Sequence, residues 1–180
     1  MMRLVLLALA LVAVPVRAQS PEILVEALKV ARAELQRQHV TSEDEVVFDT
    51  LVARAPLLGQ SAVEAWSAVE LEAVRRSTDM KLSTMKDVRT CTTLRSGEQS
   101  CTLRPTRAVV VATRPLIHGN TAMVLVALRF QPREPVSLPG SREPIEVHYL
   151  QNIRIELATT SDGWTVIQHT LGPPGMSFDW

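Results

Sequence analysis

IEVHYLQNIRIEL, residues 145–157, alternates apolar and polar side chains along most of its length. Ile145, Val147, Tyr149, Ile153, Ile155 and Leu157 fall on one side, and Glu146, His148, Asn152, Arg154 and Glu156 on the other. A period of two marks a strand with one buried and one wet face. The run Met123 to Leu128 behaves differently, being apolar at every position. Such a strand belongs in the middle of a sheet, with helices on one side and a further cover on the other. That cover is another subunit, the long loop that follows, or a ligand cavity.

Working outward, Gly, Asn, Asp and Pro punctuate strand-like runs at 88–94, 98–103, 107–114, 121–130, 145–157 and 164–171. They are expected to join in sequence as an antiparallel meander. The first half has helical spacing instead. Ser20 and Pro21 supply an N-cap and first helical position, and Leu24, Ala27, Leu28, Ala31 and Leu35 recur on one face up to about Gln38. Ser61 with Glu64 forms a capping box, after which Ala62, Ala65, Trp66, Val69 and Ala73 trace a second helix ending near Ser77. Between them, Val46, Val47 and Phe48 favour a strand, although Ser42 with Glu45 also fits the cap of a short helix. The expected fold is α+β, with N-terminal helices packed on a bent antiparallel meander sheet.

The chain starts Met1-Met2-Arg3, runs apolar from Leu4 to Val14 and offers Val16-Arg17-Ala18 as a small-residue cleavage site. This reads as a signal peptide over residues 1–18, followed by a single domain over 19–171 and a Pro- and Gly-containing tail over 172–180. The eleven-residue apolar run falls short of the roughly 18 to 20 needed to span a bilayer, so no membrane anchor is expected after cleavage. The expected location is periplasmic or secreted. Without Arg3 and Arg17 the chain has 17 basic against 19 acidic residues, which gives no reason to expect nucleic acid as a partner.

Cys91 and Cys101 are the only cysteines. In an oxidising compartment a lone pair reads as a disulfide. A hairpin turning at Arg95-Ser96-Gly97, with Gly97 in the left-handed region, sets Cys91 opposite Cys101 and Thr92 opposite Ser100. A bridge across so short a loop stabilises by roughly 2 to 3 kcal/mol. Redox and zinc alternatives lack the Cys-x-x-Cys turn or the further ligands they need.

Two helices followed by a bent meander ending in Ser161-Asp162-Gly163-Trp164-Thr165-Val166 resemble the NTF2-like (cystatin-like) α+β roll. The Gly-Trp-x-Val strand and the 107–130 hairpin carry the likeness, which covers the C-terminal half. It implies a pocket between a concave sheet and the helices, used in that family for ligand binding, isomerisation, hydrolysis or dimerisation. Its enzymes place an Asp or His, often paired, inside the cone, and no such pair can be matched here. The added cysteine hairpin departs from the simplest members.

The candidate sites are correspondingly few. Asp49 is a carboxylate flanked by apolar residues, so burial would raise its pKa. With Tyr149 or a pocket histidine it is the candidate for acid–base catalysis. Trp66, Tyr149, Gln151 and Gln168 are candidates to line a pocket, Gln168 joining the Tyr149 face through the last hairpin. His39 sits at a helix end and His118 in a turn, while His148 and His169 point away from the apolar face. No serine-hydrolase, zinc-protease, Walker or dinucleotide motif occurs, and no cofactor or metal is expected. Residues 131–144 hold four prolines in a loop suited to covering a pocket or presenting a binding segment. The tail Gly172-Pro173-Pro174-Gly175 is expected to end the sheet. The functional expectation is an exported, non-enzymatic domain binding a small apolar ligand or a protein partner, with homodimerisation through the sheet. The alternative is a small isomerase- or hydrolase-type enzyme with a pocket carboxylate.

Overall fold

A computed structural model of the chain describes residues 20–40, 45–54, 64–88, 90–93, 97, 99–102, 106–131, 148–173 and 175–177. The signal-peptide reading, Ser42, Ser61 and Ala62, and the 132–147 segment with Ile145 and Val147 lie outside the described residues.

Helix α1, Ser20–Arg37, forms where the periodicity places it. Ile23, Leu24, Ala27, Leu28, Ala31 and Leu35 are fully buried, the i, i+3, i+4 stripe of an amphipathic helix. It ends in a Schellman turn: the Val40 N–H donates to Leu35 O at 2.9 Å and the His39 N–H to Gln36 O at 3.0 Å. His39 takes the left-handed position with φ 63°. Strand β1, Val46–Asp49, follows, buried on both faces.

The second helix starts later than expected. Residues 61–70 read SAVEAWSAVE, two identical Ser-Ala-Val-Glu boxes. Helix α2, Ala68–Ser77, uses the second, with Ser67 as N-cap and Glu70 completing the capping box. Glu64 and Trp66 precede the helix, and Ala65 forms an isolated bridge to Leu51. Val69, expected inward, is consequently 70% exposed, while Val74 and Glu70 are buried. Both boxes satisfy the local capping rule, so the choice is tertiary: Glu64 turns to Arg114 and Trp66 enters the core.

Beyond α2 come β2 (Lys81–Ser83), the single turn α3 (Met85–Val88), β3 (Thr90–Thr93), β4 (Gln99–Thr102), β5 (Ala108–Ala112) and β6 (Leu116–His118). The long strands β7 (Thr121–Phe130), β8 (His148–Thr160) and β9 (Gly163–Leu171) follow, with β10 (Gly175–Ser177) last. The main sheet runs β10-β8-β7-β5-β1-β2, with β6 beside β7 and β9 beside β8. Its antiparallel part, β5 through β9, is a meander as expected. Two departures are non-local. β1 lies parallel to both β5 and β2, and its crossover to β2 through α2 makes a βαβ unit. The β3–β4 hairpin is a sheet of its own rather than part of the meander.

That hairpin has the register derived from its turn, with Cys91 opposite Cys101 and Thr92 opposite Ser100. Gly97 has φ 85°, the left-handed conformation that closes the loop. No described cysteine is a free thiol.

The core lies between α1, α2 and one face of the sheet. Val46 and Phe48 of β1, Ala108, Val110 and Ala112 of β5, and the even-numbered β7 residues 122 to 130 face it, as do Ile153, Ile155 and Leu157 of β8. Val47 and Val109 point the opposite way, into a small cluster with Met85, Val88 and Val111.

The last edge is irregular twice. Val166 pairs with Leu157 and Gln168 with Glu156, so Ile167 is a bulge. After Leu171 pairs with Ile153, the chain passes Gly172 and Pro173 and resumes at Gly175 opposite Leu150. The expectation that this segment ends the sheet is therefore corrected. Proline is tolerated on an edge strand whose N–H side faces away from the ladder.

Candidate functional site

Between the helices and the sheet the described side chains pack as core. Ile23, Leu24, Leu28, Phe48, Leu128 and Ile155 are all fully buried there. An open concavity lies on the other face. A cleft of about 430 Å³ is built over β7, β8 and β9, and its side is the Ala53–Arg54 segment. This volume falls within the range of small-molecule sites.

Strand registry sets the floor. In one row Leu125 lies opposite Arg154, which lies opposite Thr170; in the next Ala127 lies opposite Asn152, whose carbonyl accepts from the Gly172 N–H at 2.8 Å. Side chains of registered partners share a face, so both rows present outward. Thr113 extends the first row on the β5 side: its N–H donates to Leu125 O at 2.9 Å and its hydroxyl accepts from the Leu125 N–H at 3.1 Å. The wall is fixed by the Ala53 N–H donating to Ala112 O at 2.8 Å and by buried Val52. Leu125 and Ala127 are half-buried. They are the second apolar face of the run that the sequence marked as needing a cover.

A larger hollow of about 560 Å³ lies between α1 and the end of α2. Its lining includes Lys29, Arg32, Arg76 and Asp79, with an Arg32–Asp79 ion pair of 2.7 Å. A wall of hydrated charges offers an apolar molecule little, so volume alone does not make it the better site.

The five side chains singled out as site candidates do not assemble. Asp49 is 5% exposed and lies on the Val47 side of β1, accepting from the Leu51 N–H at 2.9 Å and the Met85 N–H at 3.3 Å. Burial pushes its carboxyl above the usual range, while those two donors and the Arg129 charge pull it back and Asp87 adds to the rise. Its role here is to tie the end of β1 to α3. Tyr149 lies on the helix side, half-buried, with its ring stacked on Phe130 at 5.5 Å. Asp49 and Tyr149 thus occupy opposite faces of the sheet.

Gln151 is buried on the helix side, but its Nε2 donates to Gly172 O at 2.7 Å and to Asn152 O at 3.1 Å. It supports the break between β9 and β10. Gln168 does not join it: the Ile167 bulge reverses the facing, so Gln168 is exposed on the outer side and His169 sits opposite Ile155. Strict alternation through the last strand assigned both residues to the wrong face.

Trp66 is 3% exposed and packs against Phe48 with ring centroids 5.9 Å apart. The Arg114 guanidinium stacks over it at 4.6 Å, a cation–π contact. Arg114 also donates to Glu70 at 2.5 Å, Glu64 at 3.2 Å and Ala65 O at 3.1 Å. Glu70 in turn accepts from the Ser67 N–H at 2.8 Å. Trp66 is therefore the anchor joining α2 to the β5–β6 connection rather than a pocket wall. Arg114 and Arg54 were not singled out from the sequence, where neither belongs to a motif.

Among the described residues no group of three or more His, Cys, Asp or Glu is placed to hold a metal ion, and no helix is long and apolar enough to cross a membrane. No family model, curated protein or solved structure matches the chain.

Proposed function

We propose that the protein is an exported α+β binding domain, NTF2-like in plan, that holds a small, largely apolar molecule against the outer face of its sheet. The observation that carries the reading is the cleft of about 430 Å³ floored by Leu125 and Ala127. Apolar surface left open on a central strand is costly in water, and a ligand recovers that free energy at about 25 cal/mol per Å². The enzyme alternative is weaker, because Asp49 accepts from two backbone N–H groups and Tyr149 lies across the sheet from it. Acid–base catalysis needs both groups within reach of one substrate.

Export and the hairpin staple belong to the same proposal. The 1–18 signal reading supports the first, and the direct opposition of Cys91 and Cys101 supports the second. Native mass spectrometry of the protein purified from its own host tests all three parts. The expected species begins at Gln19, carries no titratable thiol, and retains a small molecule that denaturation releases. Ala127→Trp, which fills the cleft floor, is expected to lose that molecule. A chain retaining residues 1–18, or two free thiols, overturns export or the staple respectively. A ligand-free protein that also takes up no apolar probe overturns the binding reading, and a dimer mass without ligand replaces it with self-association through the sheet.

A further inference from the structure

We infer that the cleft selects an anionic single-chain amphipath, of the class of medium-chain carboxylates, with its headgroup at Arg54 and its chain across the strands. The inference rests on the cleft being the binding site. Among its twelve described lining residues are two cations, Arg54 and Arg154, and no carboxylate. The two arginines are not equivalent. Arg154 pairs with Glu156 at 2.7 Å, so its charge is met from its own strand. Arg54 is exposed and has no carboxylate partner among the described residues. Its backbone is nevertheless fixed, because the neighbouring Ala53 is bonded to the end of β5. A guanidinium beside an apolar floor meets a carboxylate with two parallel N–H donors.

The geometry also sets the shape of the ligand. From Thr113 through Leu125 and Arg154 to Thr170 the floor crosses four strands, three gaps of about 4.8 Å each, or about 14 Å. That is the reach of an extended chain on the order of ten carbons. Arg54 stands at the β5 end, and exposed Thr170 of β9 at the other. The charge therefore sits at one end and the apolar tail runs away from it.

Calorimetric titration with octanoate, 1-octanol and octyltrimethylammonium tests this on the full mature protein. Octanoate is expected to bind about twofold to fivefold tighter than octanol, the strength of a solvent-exposed charge pair, and the cation weakest. Arg54→Ala is expected to remove the preference for octanoate while leaving octanol unchanged, and Arg54→Glu to reverse the order of the two ions. From hexanoate to octanoate each methylene is expected to add about fourfold. Octanol matching octanoate, with Ala127→Trp abolishing both, overturns the anion selectivity and leaves the cleft reading standing. Octanoate binding that survives Ala127→Trp, or no binding by any of the three probes, overturns both. Should Ala127→Trp fail to fold, Thr170→Trp in the exposed β9 row blocks the same floor.

Discussion

Between Met123 and Leu128 the two faces of β7 are equally apolar in sequence and do opposite things in the fold. Its even-numbered side chains Val124, Val126 and Leu128 are buried under α1, each no more than 1% exposed. Its odd-numbered ones, Met123, Leu125 and Ala127, are only half-buried, and Leu125 and Ala127 line the cleft. A strand covered once in this way has spent its hydrophobicity on one partner and keeps the rest available. The comparison teaches that an apolar run counts faces, not partners, and that the second face is where function is to be sought.

The largest expected effect measures that asymmetry directly. Leu128→Ala should cost about 2 to 5 kcal/mol in urea unfolding, since it leaves a cavity in the packed layer. Leu125→Ala on the other face should cost less than about 1 kcal/mol, because water already reaches it. Equal losses would mean that the outer face is core, and the comparison would collapse.

Asp49 sharpens it at the β1 end, where the outer side is closed rather than open. Asp49→Ala should cost about 1 to 3 kcal/mol by leaving the Leu51 and Met85 N–H groups without an acceptor. Its pH dependence carries an unusual sign. A carboxyl whose pKa is raised in the folded state holds its proton more tightly there than when unfolded. Its contribution to stability is therefore greatest in acid and is lost as pH rises from the ordinary aspartate range through the raised value. Denaturation midpoints followed upward from about pH 4 should show this decline in the wild type and not in Asp49→Asn.

The helix side is tested by the twin boxes. Ser67→Ala should cost about 1 kcal/mol through loss of the α2 cap, whereas Ser61→Ala should stay within about 0.5 kcal/mol. The reverse order would move the helix start back by six residues. The smallest change concerns the end of α1. His39→Gly should stabilise the fold by about 0.5 to 1 kcal/mol, because glycine enters the left-handed region without a Cβ clash. No gain would indicate that the imidazole earns its place by a contact of its own.

What was legible in the sequence was local or strictly periodic. The α1 stripe from Leu24 to Leu35, the Tyr149 to Leu157 alternation and the turn at Gly97 each needed only neighbouring residues, and each has its structural counterpart. The start of α2 was not legible, because Ser61 and Ser67 head identical boxes and only Trp66 and Arg114, distant in sequence, separate them. Strand β2 has three residues and pairs in parallel with β1 across α2, so nothing in its own sequence marks it. Gln168 was misplaced because one bulged residue, Ile167, inverts every later side chain on the strand. The cleft was half legible: the two-faced apolarity of Met123 to Leu128 pointed to its floor, while Arg54, set there by backbone pairing, left no pattern to read.

The irregular edge formed by β9 and β10 bears on how the protein survives at high concentration. A long flat edge strand offers unpaired N–H and C=O groups as a template for a second chain, which is the first step towards fibrils. Here the bulge at Ile167 bends that ladder and Pro173 removes a donor from it, while the opposite edge, β2, is only three residues long and carries Lys81. Among the described strands a second copy therefore meets a broken template on either flank, the arrangement by which sheet proteins discourage edge-to-edge pairing.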